Sequence, residues 1–557
     1  MATAPAVDAL TALGVGDELV ASVLYARGLR NADDVERFVS PERFPEDSPF
    51  DLPGMHEAVA RISWAIRRGQ RIVIHGDYDV DGLSATAVMI EGLAALGNQP
   101  QAYVPNRLES GYGLDMKAVR ELAASADVLV TVDCGIRSLE EVAEARRLGM
   151  TVIVTDHHLP GEELPAADAI VSSRQVGGAC FEELTGAGIA HQLVHALGAV
   201  RSRFGDTEGA PDPFDDLTAL GTIADVAPLI GANRRLARAG LALLRRRPRP
   251  GLLALMRSAR IDQAALSARD ISHGLAPRLN AAGRMGSSLP ALQLLMTRDS
   301  RRAAQLASQL ERANSQRKGH VEQCLALARA ELAALPPGQA CVFSASATYP
   351  RGVLGLVASK LADQSGLPAV VVALEDGLAH GSVRCAPPVN ASEALDACHD
   401  VLIRHGGHAA AAGFVCATAR LPELRARLCG LASDLLAGQD ARPPLSVVAQ
   451  APLPGETDAI WDWLPRLEPT GRGNEQPIFV TRDVMLQDAL SCGEQSQHLK
   501  LVLSGGGRYV RAMAFQVGER GRSLPQQLDI AYRLDENTYR GVTERRLIVL
   551  DWQQAGA

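Results

Sequence analysis

RIVIHGDYDVDGLSATAVMIEGLAALG, residues 71–97, decides how this chain folds. It begins with an apolar run, 71–75, of the kind that forms a buried strand. A turn rich in aspartate follows, with Gly76 and Gly82 where the backbone must bend sharply. A helical segment then runs over 83–97 and stops at Gly97. The same order recurs downstream. DVLVTV (127–132) reads as a strand, and SLEEVAEARRLG (138–149) as a helix with a capping-box pattern, Ser138 with Glu141. TVIVT (151–155) is a further strand. Alternating β and α predicts an α/β fold with a parallel, doubly wound sheet.

In such sheets ligands gather at the carboxyl ends of the strands. HGDYDVDG (75–82), TVDCGI (131–136) and VTDHH (154–158) all end strand-like runs, so their polar residues should converge on one edge. GTIADVAP (221–228) follows the helical stretch 215–224 and adds Asp225. Taken singly, each motif also reads as an ordinary turn or cap: helix-capping aspartates in the first, and an Asp before Val-Ala-Pro in the last. Taken together, they supply His75, Asp77, Asp79, Asp81, Asp133, Asp156, His157, His158 and Asp225. That is the donor set of a two-metal phosphoesterase centre. Mixed imidazole and carboxylate donors favour manganese or a similar transition metal over magnesium, and they also allow zinc, although no cysteines cluster with them. A Walker-type phosphate loop and a serine nucleophile elbow are both absent from the sequence.

The 557 residues carry a net charge of −8, so a nucleic-acid ligand would have to be held by local basic tracts. The nine cysteines, from Cys134 to Cys492, include no CxxC pair, which suits free thiols in a reducing cytoplasm. Neither a secretory leader nor an apolar run long enough for a membrane span is expected. We divide the chain into an N-terminal helical segment (1–57), a first α/β unit (58–289), a connecting helical region (290–335), a second α/β unit (336–440) and a β-rich segment (447–557). The last, with its short strands and turns, fits an OB-like barrel. The run RRRPRP (245–250) is either a DNA contact or, as expected here, a solvated helix end. Phe515, Tyr532 and Tyr539 are either base-stacking residues or core.

HGDYDVDG, VDCG, TDHH and GTIADVAPL together resemble motifs I to IV of the DHH phosphoesterase superfamily. LAPRLNAAGRMG (275–286), GSVRC (381–385), GGHAAAAGF (406–414) and LEPTGRGNEQPIF (467–479) resemble, more narrowly, the RecJ family of single-strand-specific 5′→3′ DNA exonucleases. The resemblance covers the chain from about residue 45. It implies a DHH domain, a DHH-associated domain and an OB-fold. It also implies two divalent ions, manganese preferred and magnesium possible, on His75, Asp79, Asp81, Asp133, His157 and Asp225, with Asp133 bridging. Asp77 and Asp156 would orient ligands, and His158 would meet the scissile phosphate or help proton transfer. The catalytic group so implied is His158, Asp133, Asp81 and Asp77.

Nucleic acid would be held by Arg278, Asn280 and Arg284 in the first unit. Ser382, Arg384, Gly407 and His408 would clamp the 5′ end from the second. The implied activity releases 5′-mononucleotides from single-stranded DNA in recombination and repair. Single-strand-binding protein and a RecQ-type helicase would be partners of a cytoplasmic monomer. The chain departs from the family at Tyr349-Pro350, where a Trp-His pair is usual, and at VSSRQ (171–175), where Val-Asn-Pro is common. A DHH oligoribonuclease or cyclic-dinucleotide phosphodiesterase is the competing enzyme reading, and 447–557 argues against it. An inorganic pyrophosphatase would lack the AAGRMG segment. A non-catalytic replication scaffold is the alternative of another class, and it should have lost ligands that are all present here.

Overall fold

In a computed structural model of the chain, the described residues are 11–107, 113–175, 181, 183–201, 212–333, 340–437, 445–493, 496–517, 524–539 and 542–556. The first helices are α1 (Glu18–Ala26), α2 (Ala32–Val39) and α3 (Met55–Arg67). Then the alternating pattern takes hold: β1 (Ile72–Gly76), α4 (Val80–Ala95), β2 (Gln101–Tyr103), α5 (Met116–Ala123), β3 (Val128–Val132), α6 (Leu139–Arg147), β4 (Thr151–Thr155) and β5 (Ala169–Val171). The five strands form a parallel sheet in the order β2-β1-β3-β4-β5. Side chains alternate across it as a strand requires. Ile72, Ile74, Val128 and Val130 face the main core, whereas Val73, Leu129, Val152 and Val154 face α5 and α6. Both faces are therefore covered. The order runs outward from β1 in both directions, which puts the topological switch point between β1 and β3. One local expectation is corrected: Ser138 precedes α6 but makes no side-chain cap, so the capping box does not form.

Helices α7 (Gly186–Arg201), α8 (Asp215–Ala224), α9 (Gly231–Arg246) and α10 (Pro250–Ala259) complete the main core. A π-helical turn over Ile271–Leu275 leads into α11 (Ala276–Met285), whose second residue, Pro277, has no N–H to give. The run 245–250 is not wholly solvated. Arg249 is buried and pairs with Asp216 through two bonds of 2.7 and 2.8 Å and with Glu91 at 3.1 Å.

The connecting region is two helices, α12 (Leu289–Met296) and α13 (Ser300–Ala333). They part where Asp299 turns its carboxylate onto the amides of Arg301 and Arg302. The long helix belongs to two cores. Leu306 and Leu310 lie in the first, and Val321, Cys324 and Leu325 lie in one shared with the second sheet. That sheet holds β6 (Val342–Ser346), β7 (Ala369–Glu375), β8 (Leu378–Arg384), β9 (Arg404–His408) and β10 (Ala411–Ala417), in the order β6-β7-β8-β10-β9. It is flanked by α14 (Leu354–Ser365), α15 (Ala391–Asp396) and α16 (Leu421–Leu436). The alanine-rich run 409–412 has helical propensity, yet it lies in the β9–β10 hairpin, where tertiary pairing decides.

After β11 (Ala449–Gln450) and α17 (Ile460–Leu467) come β12 (Phe479–Cys492), β13 (His498–Gly505), β14 (Arg508–Ala514), β15 (Gln527–Tyr539) and β16 (Val542–Gln554). These five pair as β12-β13-β14-β16-β15, and β15 returns to β12 to close an OB-type barrel. Tyr532 is core, its hydroxyl 3.1 Å from Thr481 Oγ1. Phe515 is exposed beside His498, and the Tyr539 side chain lies outside the described set. Val20, Leu24 and Val35 of the N-terminal helices share the barrel's core. Arg27 reaches Asn474, 447 residues away in sequence. Among the described residues, no helix is long and apolar enough to cross a membrane.

Candidate metal centre and phosphate-facing cleft

The strand register builds the centre. Gly76 of β1 pairs with Val132 of β3, and Val132 with Thr155 of β4. The next residue on each strand is Asp77, Asp133 and Asp156, so three carboxylates stand in a row across the switch point. Asp133 takes a left-handed φ of 61°, uncommon for a side-chain-bearing residue but tolerated by Asp. Its amide donates to the Thr155 carbonyl at 3.0 Å, which fixes the turn.

The turn after β1 carries three aspartates with different surroundings. Asp79 is the N-cap of α4, with Oδ1 accepting from the amides of Asp81 and Gly82. Asp81 is buried and accepts from the first amides of α7, Gly186 at 2.7 Å and Ala187 at 3.0 Å. A helix N-terminus therefore holds it in place. Asp77 buries an Oδ1 that has no hydrogen-bond partner. Oxygens of Asp77, Asp79 and Asp133 approach one another within 4.8 Å.

His157 turns Nε2 into the cluster, 3.1 Å from Asp133 Oδ1 and 3.8 Å from both Asp81 Oδ2 and Asp225 Oδ2. Asp225 is the C-cap of α8, brought in from a separate element. His75 lies at the end of β1, its ring against Tyr103 and its buried Nε2 without a partner. Asp156 has the contacts of an orienting residue. It accepts from the Ile136 amide at 3.0 Å and from His158 Nδ1 at 2.7 Å. Asp77 Oδ1 makes no comparable hydrogen bond.

Electrostatics argue for cations here. Burial, then Asp79, pushes Asp81 up to about 7. Burial, then Asp81 and Asp79, pushes Asp225 up to about 8. Asp133 is raised by burial and by the charges of Asp81, Asp79, Asp77 and Asp225. Burial lowers His75 to about 4, and burial with the neighbouring His158 lowers His157 to about 3, so both rings are neutral at pH 7 and keep a lone pair. Orphaned donors and mutually repelling buried carboxylates fit divalent ions, which would satisfy both.

Glycines admit these groups. A Cβ on Gly186 would stand 2.5 Å from the Asp133 Cβ, and one on Gly221 would stand 2.5 Å from Asp81 Oδ1. Gly186 and Ala187, at the start of α7, and Gly221 thus shape the site without bearing a chemical motif of their own. A small-residue helix start after a turn was the available signal.

Opposite this edge lies a basic cluster. Burial, then Arg107 and Arg317, lowers Arg284 to about 9, with Arg384 also contributing. Burial and Arg107 lower Arg384. Arg107 covers the ring of Tyr78 at 4.8 Å, and Arg317 buries an Nε without a hydrogen bond. Arg284 is tied to Gly352 of the second unit at 3.3 Å. Ser382 Oγ accepts from Arg384 at 2.9 Å. His408, at the end of β9, faces His158 with ring centroids 6.2 Å apart and nearly parallel planes. Gly407, at φ 149°, has no room for a Cβ against Ala411 and Ala412.

Arg278 is committed elsewhere, its Nε 2.5 Å from Glu311 on α13, and Asn280 is half-buried on α11. Sequence reading thus missed Arg107 and Arg317. The first follows a strand at the same edge, and the second stands alone on a helix with no local signal. In VSSRQ, Arg174 reaches the His157 carbonyl at 3.4 Å and pairs with Glu183. Tyr349 is core, its hydroxyl 2.8 Å from Ser344 Oγ.

Residues 71–222 match the model of the DHH family N-terminal domain, 338–434 the DHHA1 domain and 449–551 the RecJ OB domain. The chain is 34% identical over 541 residues to a Bacillus subtilis protein named single-stranded-DNA-specific exonuclease RecJ, covering 96% of this chain and 67% of that one. It is 36% identical over 538 residues to the Thermus thermophilus protein of the same name, covering 96% and 75%. A crystal structure of Thermus thermophilus RecJ in complex with Mn2+ superposes with a TM-score of 0.85 at 34% identity, over 99% of this chain and 79% of that one.

Proposed function

The chain belongs to the RecJ family of DHH phosphoesterases, and from that premise we propose that it is a divalent-metal-dependent exonuclease specific for single-stranded DNA. It enters the strand at a 5′ end and releases 5′-mononucleotides during recombination and repair. The observation that carries this reading is the in-register row of Asp77, Asp133 and Asp156, with His157 turned onto Asp133.

Two ions fit the donors, with manganese preferred and magnesium accepted; Thermus thermophilus RecJ has been solved with each. His75, Asp79, Asp81, Asp133, His157 and Asp225 would hold them, with Asp77 a further donor through its orphaned oxygen. When bound, such ions supply charge stabilisation at phosphorus and acidify water.

The chain's own residues do the rest. Asp156 holds His158 through Nδ1 and so orients the ring for the phosphate. His158, raised by its bond to Asp156 despite burial, keeps a proton to share with a phosphate oxygen or a leaving group. Arg107, Arg284 and Arg384 offer planar, bidentate grips for the 5′ phosphate. The barrel is an additional single-strand surface. Single-strand-binding protein and a RecQ-type helicase are the partners that would present such a strand to a cytoplasmic monomer.

The test is manganese-dependent digestion of a 5′-phosphorylated single strand, beside its duplex and a dinucleotide RNA, with Asp133→Ala as control. Stepwise mononucleotide release from the single strand alone, lost in the variant, is expected. Cleavage confined to the dinucleotide would replace this reading with the oligoribonuclease one. No cleavage at all would leave the scaffold.

A further inference from the structure

Five residues along α7 from Gly186 begins a second cluster of metal-ligating side chains, outside the centre described above. His191 and His195 are four apart, so a helix sets both imidazoles on one face, and their ring centroids lie 4.4 Å apart. Facing them are Asp212, just before α8, and Asp215, its first residue. His191 Nε2 is 3.7 Å from Asp212 Oδ2 and 3.6 Å from Asp215 Oδ1. His195 Nε2 contacts the same Asp212 oxygen. One donor atom from each of His191, His195 and Asp212 lies within 4.8 Å of the other two.

The independent sign of a ligand is His191 itself. It is 3% exposed, and neither ring nitrogen makes a hydrogen bond. The carboxylates it faces stand beyond hydrogen-bond reach but at the separation of two ligands sharing one small ion. Asp212 is already oriented, since its Oδ1 accepts from the Phe214 amide at 2.7 Å and its Oδ2 is turned into the cluster, where it is hydrogen-bonded to His195 Nε2. One side is open, with 36% of the His195 side chain and 19% of Asp212 exposed, which gives an ion a way in.

We propose that His191, His195 and Asp212, with Asp215 as fourth donor, form a structural site for one zinc-class divalent ion. Two imidazoles with one or two carboxylates suit a tetrahedral borderline cation rather than calcium or magnesium. The ion would tie α7 to α8. That matters because α7 begins with the amides that hold Asp81, and α8 ends at Asp225. The site therefore braces two of the elements that shape the catalytic edge without touching the reacting atoms.

The test uses the full chain, stripped of metal and reloaded with Zn2+ or Co2+, with bound metal counted by mass spectrometry. Asp133→Ala, which damages the catalytic centre, is expected to retain one tightly bound equivalent and to rise in unfolding temperature when zinc is added. Adding His195→Ala, at a partly exposed position, or Asp212→Asn should remove both the equivalent and the rise. Cobalt in this site should give the visible absorption of tetrahedral coordination. Failure of Asp133→Ala to hold zinc, or zinc content indifferent to both substitutions, would overturn the proposal. These readouts do not depend on nuclease activity, so they stand or fall apart from the assigned function.

Discussion

Gly221→Ala tests whether close packing against Asp81 shapes the centre. Gly221 sits inside α8, where alanine is favoured over glycine by about 1 kcal/mol, so propensity alone predicts stabilisation. The structure predicts the opposite. The added Cβ would stand 2.5 Å from Asp81 Oδ1 and 2.6 Å from Ala187 Cβ. Carbon atoms pack best at about 3.5–4.0 Å, so α7, α8 or the carboxylate must give by about 1 Å. Overpacking of this kind costs roughly 1–3 kcal/mol, which leaves a net loss of about 0–2 kcal/mol after the helix gain. The effect on turnover should be larger, since a displacement of about 1 Å in a reacting constellation costs on the order of 10²-fold. The assay pairs urea unfolding with manganese-dependent digestion of a single strand. Gly430→Ala on α16 is the control, because nothing lies within 4 Å of its added methyl. The control should gain stability and keep its rate. If Gly221→Ala behaves like the control in both measurements, the claim that glycine is required beside Asp81 is wrong.

Asp156→Ala removes the acceptor that holds His158, so kcat should fall about 10–100-fold, alongside a stability loss of about 1–3 kcal/mol from the unpaired Ile136 amide; a wild-type rate would show that His158 needs no such support. The folded pKa values of Asp81 and Asp225, about 7 and about 8, lie above the ordinary 3.8. The metal-free protein therefore loses stability as pH rises from 3.8 through about 7 and about 8, because only the folded state keeps those protons, and manganese must displace them at any pH below the folded values. Apparent manganese affinity by calorimetry should strengthen from pH 6 to pH 8.5 with proton release, and a flat profile would contradict the assignment. Arg234→Leu should cost about 3–5 kcal/mol in urea unfolding, because the buried guanidinium donates to the carbonyls of Phe38, Arg466, Leu467, Glu468 and Pro469. A cost near zero would mean that this junction does not hold the barrel and the first unit together.

The parallel sheet and its catalytic edge were legible because both follow from local periodicity. Buried strands ending at residues 75, 132 and 155 leave their next side chains at one edge, whatever the rest of the chain does. The barrel was legible from strand texture alone. What could not be read were contacts between distant segments. The N-terminal helices gave no hint that they complete the barrel's core, since amphipathicity marks a face and not its partner. Arg249 looked like part of a basic helix end because its partners, Asp216 and Glu91, are remote in sequence. The pairing of Arg278 with Glu311 was likewise out of view, 33 residues away in sequence. Arg107 and Arg317 acquire meaning only when α13 and the second unit bring them toward Arg284 and Arg384.

That convergence resolves an apparent conflict. A chain of net charge −8 has no bulk attraction for a polyanion. Its most buried carboxylates moreover line the edge where a phosphodiester must sit. Two local devices reverse the field. Divalent ions on the Asp77–Asp79–Asp133 and Asp81–His157–Asp225 groups would turn the repulsive edge attractive. Across from it, burial, and then the neighbouring Arg107 and Arg317, lower Arg284 to about 9, so the cluster is short of solvation and of counter-charge before any ligand arrives. A phosphate placed among them relieves that repulsion while it forms charge-assisted hydrogen bonds. The cleft can therefore offer a phosphate local attraction that the net charge of −8 does not supply.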